Sequence, residues 1–366
     1  MNIAVHIDAD ALPTSFLWSH VLWLSTKEPQ HQFLIFHSSK IILPSSLTSN
    51  CKSIPIRPTI KNRLLLHFWY QFKLPVLLKK EKAAIFISEH VVCSSRTTTP
   101  QILVIRNSFF NDDKKASNAI YQKYQKKNFP KCIQQSSGII AVHEWVALQI
   151  NTAYPEAIQK VSVVAPLLDR AFAPMLWEQR DSVLNLYSND IEYFYCYHNS
   201  DTHPYMLLLL KAFSLFKKRM KSSLQLVLLQ SIKEDPVKDF HLYKYRKDVH
   251  VHKAGDIAIE AAIAGAAFAG IFLQTDVLSD LGPMHCIKAG TVPIVPNKEQ
   301  NNQILGKAAI YIEDTQQALS DAMIQFYKNE DVKNGYLQAG IEWLECNNNE
   351  TNSLLLAETI SSLVNN

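Results

Sequence analysis

Between residues 266 and 296 (AAFAGIFLQTDVLSDLGPMHCIKAGTVPIVP) the hydrophobic pattern changes character several times in about thirty positions. The apolar run 268–273 predicts a buried strand, and the polar run 274–282 predicts a loop. Pro283 suits a first helical position and Gly290 the left-handed position just past a helix end, so 283–289 predicts a two-turn helix. Residues 291–295 predict the next strand. In an open α/β sheet, ligands sit outside the carboxyl ends of the strands, where loops and helix N-termini converge. Residues 274–285 are therefore expected to line a site.

The remaining chain repeats this alternation. Strands are predicted at 2–7, 33–36, 83–87, 102–105, 138–142 and 161–164, with a helix at 15–25 that gathers Leu17, Val21 and Leu24 on one face. Apolar content rises through 60–82 (LLLHFWYQFKLPVLL), a segment flanked by Lys61, Arg63, Lys79, Lys80 and Lys82, and Pro75 is expected to kink or divide that helix. An aromatic helix with basic ends suits either a core with solvated ends or an anionic lipid surface. A second series follows: strand 193–197, helix 206–220, strands 224–229 and 249–251, helix 256–264, then the stretch above. Helices at 315–328, 331–343 and 353–364 come last, the final one after an Asn-rich break at 347–349. Such alternation predicts an α/β protein of mostly parallel sheets, arranged as two Rossmann-like domains facing each other across a cleft. The expected division is 1–172, with helix 353–364 packing back onto it, and 173–352.

Composition sharpens this picture. A chain of 366 residues is too long for one ordinary core, and 47% hydrophobic residues can fill two. There is no basic leader with an apolar core and no uninterrupted apolar run of about 18 residues, so a cytoplasmic protein is expected. The six cysteines form no CxxC pair, which argues against a disulfide framework or a metal knuckle. The formal charge of +4 conceals an asymmetry, since residues 1–175 carry 20 Lys+Arg against 10 Asp+Glu and the remainder 17 against 23. A basic first half suits solvated basic faces, or contact with an anionic membrane surface at the inner membrane face. Nucleic acid is not an expected partner. Only 9 glycines occur, none before Gly138.

Candidate chemistry is sparse. Asp276 on the loop can accept sugar hydroxyls or close a local turn. His285 and Lys288 lie on the short helix and can face a phosphate at its N-terminus, although Pro283 removes one donor amide there. Arg106, at a strand end, is a candidate anion contact. His143 and Glu144 end another strand, where they can bind an acceptor or tie down the following helix. Asp8 and Asp10 follow the first strand as turn-forming carboxylates, and His250 and His252 alternate along one strand without a third ligand, so no metal is expected.

The order of segments resembles the two-domain GT-B fold of nucleotide-sugar glycosyltransferases, in particular the mannosyltransferase-like enzymes of glycosyltransferase family four. The likeness rests on Ile139-Ile140-Ala141-Val142-His143-Glu144, Lys160-Val161-Ser162-Val163-Val164 and Asp169-Arg170-Ala171-Phe172-Ala173-Pro174. It continues in Lys211-Ala212-Phe213, Ala289-Gly290-Thr291-Val292-Pro293-Ile294-Val295 and Leu305-Gly306-Lys307-Ala308-Ala309. Where the family has a Gly-rich turn after its first strand, this chain has Asp8-Ala9-Asp10-Ala11-Leu12-Pro13-Thr14. His203 and Pro204 stand where the family places an Arg and a Lys for the donor diphosphate. Asp276 is nearest to the first of its paired glutamates, Met284 or His285 falls at the second, and Arg106 replaces its mid-domain His.

The resemblance implies transfer of a hexose from a nucleotide-sugar donor to a glycan or lipid-linked acceptor, retaining and metal-independent, with no cofactor. Arg106 and Asp276 would be catalytic, His203, His285, Lys288 and Pro283 would hold the donor phosphate, and Asp8, His143 and Glu144 would lie on the acceptor side. Histidines carry charge only near or below about pH 6.5, so nucleotide affinity is expected to strengthen as the pH falls from about 8 to 6. The substitutions in the motifs equally suit a non-catalytic relative that keeps the fold as a binding or assembly partner.

Overall fold

The computed structural model describes residues 1–7, 15–38, 47–56, 63–90, 92–106, 119–273, 277–278 and 280–364, with the side chains of all but 63–64 and 119–126. The chain divides into two compact units, Met1–Leu167 with Asn349–Asn366, and Leu168–Asn348. In chain order the first unit contains β1 (Asn2–Ile7), α1 (Phe16–Lys27), β2 (Gln32–Ser38), β3 (Cys51–Ile56), α2 (Arg63–Lys80), β4 (Ile85–Ser88), β5 (Gln101–Ile105), α3 (Ala119–Gln135), β6 (Gly138–Ala141), α4 (Glu144–Ala153) and β7 (Val161–Val163). The second contains α5 (Trp177–Ser188), β8 (Tyr193–His198), α6 (Met206–Met220), β9 (Gln225–Gln230), β10 (Val249–Lys253), α7 (Ile257–Ala266), β11 (Ala269–Ile271), α8 (Gly282–Lys288), β12 (Pro293–Pro296), α9 (Glu299–Leu305), β13 (Ile310–Ile312), α10 (Gln316–Lys328) and α11 (Glu330–Cys346). The last helix, α12 (Asn349–Val364), returns to the first unit, where it packs on α1.

The first unit is built on a seven-stranded parallel sheet in the order β3-β2-β1-β4-β5-β6-β7. Strands covered on both faces read as near-continuous apolar runs, and β4, β5 and β6 are buried at every position, with Ser88 and Gln101 as polar ends. Part of the core, Leu34, Phe36 and Phe86 from the sheet, packs against Trp69, Tyr70, Leu74 and Leu78 of α2. Of the two outcomes expected at Pro75, a kink or a division, the division does not occur: α2 runs as one helix through Pro75, so the lost amide is tolerated within it. The sequence reading missed β3 because CKSIPI lacks a continuous apolar run. As the edge strand, β3 accommodates Pro55, whose missing N–H interrupts no interior ladder.

The second unit has a six-stranded parallel sheet in the order β10-β9-β8-β11-β12-β13. Two parallel sheets with helical crossovers make the protein an α/β chain of two Rossmann-like domains. The core of this unit joins Phe194, Leu226, Leu228 and Ile294 of the sheet to Phe213 and Phe216 of α6 and Phe326 of α10. Caps fall where the sequence provides acceptors: Ser15, Asp256 and Thr315 receive backbone amides at the starts of α1, α7 and α10. Gly290 takes a φ of +79° just past α8, as the stretch 266–296 predicts. Lys217 is buried at the end of α6, where its ammonium donates to the carbonyls of Ser222 (2.6 Å) and Leu224 (3.0 Å) and pairs with Asp248 at 3.2 Å. It thereby ties α6 to the entry into β9. No helix among the described residues is long and apolar enough to cross a membrane.

Candidate functional site

At the carboxyl edge of the six-stranded sheet, β8 ends in His198 and the chain turns through residues 199–202. The turn is closed by its own side chains. Asn199 Oδ1 accepts the amides of Asp201 and Thr202, both at 2.9 Å, while Thr202 Oγ1 accepts the Asn199 amide and donates to the Tyr197 carbonyl, both at 2.8 Å. This rigid turn places His203 beside the buried His198, with His198 Nε2 and His203 Nδ1 3.0 Å apart and the rings stacked. One imidazole must donate and the other accept, so the pair shares a proton between its facing nitrogens. Burial, then His203, lowers the His198 pKa, with Glu234 partly opposing.

A second group lies at the same edge. Tyr195 of β8, fully buried, turns its hydroxyl toward the carboxylate of Glu260 on α7 and favours the charged form of that carboxylate. Burial, then the charge of Asp280, raises the Glu260 pKa to about 7, with the Tyr195 hydroxyl partly opposing. Asp280 accepts the amide of Gly282 at 2.9 Å, at the start of α8. Packing dictates the glycines here. A β-carbon on Gly282 would stand 2.6 Å from the Phe272 ring, and one on Gly270 would stand 2.7 Å from Cys286 Sγ and 2.8 Å from Phe272. The ring of Phe272 thus fills the space both glycines leave. Sequence reasoning missed Glu260, although a single carboxylate in an otherwise apolar helix, IAIEAAIAGA, was the available signal.

The residues proposed for the donor phosphate on α8 have other partners. His285 is buried, its ring stacked on Phe172 at 4.1 Å with an interplanar angle of 6°, and its Nε2 accepts the Asp169 amide at 3.2 Å. Burial lowers its pKa to about 4, with Asp169 opposing and Lys288 adding. His285 is therefore neutral between pH 6 and 8, and the expected strengthening of nucleotide binding on acidification cannot come from it. Lys288 donates to the carbonyls of Leu168 (2.8 Å) and Asp169 (2.6 Å). Together these two side chains bind residues 168–172 to α8, which is why that segment belongs with the second unit. Pro283 is buried in the first turn of α8. His252 donates to the Tyr187 carbonyl at 2.9 Å and stacks near His250. Asp276, like Asp8 and Asp10, lies outside the described residues. Among the described residues, no group of three His, Cys, Asp or Glu is placed to share a metal ion.

In the first unit, Arg106 follows β5 with its guanidinium 3.5 Å from Glu89, and Glu89 in turn accepts Ser15 Oγ (2.6 Å) and the Leu17 amide (2.7 Å) at the start of α1. His143 caps α4, its Nδ1 accepting the Trp145 amide at 3.1 Å, and burial lowers its pKa. Glu144 is exposed in the first turn of α4, where its charge suits the helix dipole. A polar chain that the sequence did not reveal runs across the carboxyl ends of β1 and β4: His6 Nδ1 is 2.6 Å from Tyr70 Oη, which is 2.7 Å from Ser88 Oγ, and the His90 ring lies 4.6 Å from that of His6. Burial, then His90 and His37, holds the His6 pKa well below its ordinary value.

Two Rossmann-like domains, each a parallel sheet with helical crossovers and polar groups at its carboxyl edge, define the fold class as two-domain α/β. Among solved structures the chain matches a glycosyltransferase from Rickettsia africae over 100% of its own length and 99% of the other, with a TM-score of 0.75 and 13% identity. Sucrose-phosphate synthase from Thermosynechococcus elongatus matches over 99% of both chains (TM-score 0.74, 12% identity). Anabaena HepE, solved in complex with UDP and glucose, matches over 99% of this chain and 100% of its own (TM-score 0.74, 10% identity). The protein therefore has the GT-B fold, as the motif order implied. No family model and no curated protein matches the sequence.

Proposed function

We propose that the protein is a nucleotide-sugar glycosyltransferase that moves a hexose to a glycan or lipid-linked acceptor, retaining and metal-independent, in the cytoplasm and with weak contact to an anionic membrane surface. The observation that carries this reading is the placement of the His198–His203 pair and the Glu260–Asp280 carboxyls at one edge of the second sheet, on a GT-B fold. A glycosyltransferase without metal must stabilise a leaving diphosphate and orient two sugars. His203 is assigned to the phosphate, and Asp280 and Glu260 to hydroxyls of the donor. The resemblance adds Asp276 on the donor sugar and Asp8 on the acceptor side. The hydrogen-bonding chain of His6, Tyr70 and Ser88 offers the acceptor hydroxyl a relay of donors and acceptors.

A non-catalytic binding role is the second reading, favoured by the engagement of His285 and Lys288 with residues 168–172 instead of a free phosphate-facing pair. HepE was solved with UDP and glucose, so a uridine diphosphate sugar is the first donor to test. Calorimetric titration with UDP, GDP and ADP, repeated on His203→Ala, separates the readings. Binding of one nucleotide, weakened about tenfold or more in the variant, supports the enzyme, since a charged hydrogen bond to phosphate contributes roughly 1.5–3 kcal/mol. No binding between pH 6 and 8 leaves the non-catalytic role.

A further inference from the structure

Helix α2 has two apolar faces, and the core uses one of them. Tyr70, Leu74 and Leu78 point inward and are fully buried. On the opposite side Leu65, Phe68, Phe72 and Val76 are 58%, 60%, 51% and 65% exposed. Their spacing of three and four residues places them in one row along the helix, about 16 Å long at 1.5 Å per residue. The rings of Phe68 and Phe72 are stacked with centroids 6.5 Å apart. Four large side chains in a row, exposed by half or more, call for a partner.

The charges carried by α2 itself are of one sign. Helix α2 carries no Asp or Glu, and exposed Lys73, Lys79, Lys80 and Lys82 lie on it or just beyond its end. Arg96, also exposed, sets its guanidinium 4.2 Å from the centroid of the Phe72 ring. The nearest acidic residue in sequence, Glu81, is paired with Lys52. A row one side chain wide supplies well under the about 800 Å² per partner of a stable protein interface. An apolar ridge with a cationic border matches the boundary between acyl chains and anionic headgroups instead.

We propose that α2 is a lipid-surface anchor: Leu65, Phe68, Phe72 and Val76 enter the headgroup–acyl boundary of an anionic bilayer while Lys79, Lys80 and Arg96 contact lipid phosphates. This specifies the membrane contact named above and is independent of sugar transfer. Seating the helix in the interface buries the ridge that the core leaves exposed, and each cation adds an attraction that salt weakens.

Vesicle co-sedimentation tests it, with phosphatidylglycerol–phosphatidylcholine mixtures against phosphatidylcholine alone, at low and high salt. The wild-type chain binds the anionic vesicles and not the neutral ones. Phe68→Ser with Phe72→Ser lowers that binding at least about tenfold, from the apolar area withdrawn. Lys79→Glu with Lys80→Glu lowers it at least about fivefold per position and removes most of its salt dependence. Both pairs are exposed, so circular dichroism and thermal unfolding stay unchanged, and the lysine pair still tests the proposal if the aromatic pair perturbs folding. Leu242→Ser, at a 74% exposed site in the second unit, leaves vesicle binding unchanged. The proposal is overturned by no binding by the wild-type chain, equal binding to neutral vesicles, or full binding by either double variant. Self-association abolished by the Phe68/Phe72 pair, without vesicle binding, assigns the ridge to a second copy and also overturns it. Nucleotide titration of the same variants reports on the transferase reading separately.

Discussion

Replacing Glu260 with glutamine removes a charge while preserving the side chain's size, and the effect on stability should depend on pH. Burial and Asp280 raise the Glu260 pKa from 4.5 to about 7 in the folded chain. The folded state thus holds the proton more tightly than the unfolded state. The stability this confers is complete below about pH 4.5 and is lost as the pH rises through about 7. At 1.36 kcal/mol per pKa unit the loss is roughly 3 kcal/mol at pH 8 and under about 1 kcal/mol at pH 5. Glu260→Gln, always neutral, should recover most of it. Thermal unfolding at pH 8 should show the transition of the second unit raised by about 6–12 °C, from about 2–4 °C per kcal/mol for a unit of this size, and little change at pH 5. Asp280→Asn removes the second cause of the shift, so the gain from Glu260→Gln should shrink in that background. An equal gain at both pH values, or a loss at pH 8, would refute the reasoning.

Further outcomes follow from other contacts. Lys288→Met leaves the carbonyls of Leu168 and Asp169 without their donor and should destabilise by about 1–2 kcal/mol, with faster proteolysis within residues 168–172 as the specific readout. Lys217→Met strands two buried carbonyls and Asp248, and chemical denaturation should show a loss of roughly 2–4 kcal/mol. Gly282→Ala brings a methyl to 2.6 Å from Phe272 and should cost about 1–3 kcal/mol, partly restored by Phe272→Leu, while Gly335→Ala, with open space around it, should cost nothing measurable.

Most of the architecture was legible because parallel strands buried on both faces leave continuous apolar runs, as at 138–142, and because Pro283 and Gly290 punctuate α8 as predicted. The edge strand β3 escaped because solvent on one side lets Lys52, Ser53 and Pro55 interrupt its pattern. Helix α5 escaped because only Leu184 and Ser188 of WEQRDSVLNLYS are buried. On α2 the sequence supplied apolar residues all round the helix, and only the packing of Tyr70, Leu74 and Leu78 distinguishes the core face from the exposed one. The site was harder to read. His285 and Lys288 find partners 116 to 120 residues away, and no local spacing reports such a contact. Lys288 suits a phosphate and a carbonyl equally well, since both are acceptors, and a neutral His285 can accept an amide as readily as it can donate to a phosphate.

The return of α12 to the first unit also bears on how the protein is made. Leu363 lies so close to Gly138 that a β-carbon there would stand 2.6 Å from its methyl, so the end of α12 covers the start of β6. On the ribosome, residues 1–167 emerge first but cannot seal that surface until the whole of the second unit has been synthesised behind them. The nascent first unit therefore waits with the α12 seat on α1 and β6 uncovered, a period in which apolar surface is open to misassembly or chaperones. The second unit, being contiguous, can complete its sheet in the interval, so the domain translated second should be the one that finishes folding first.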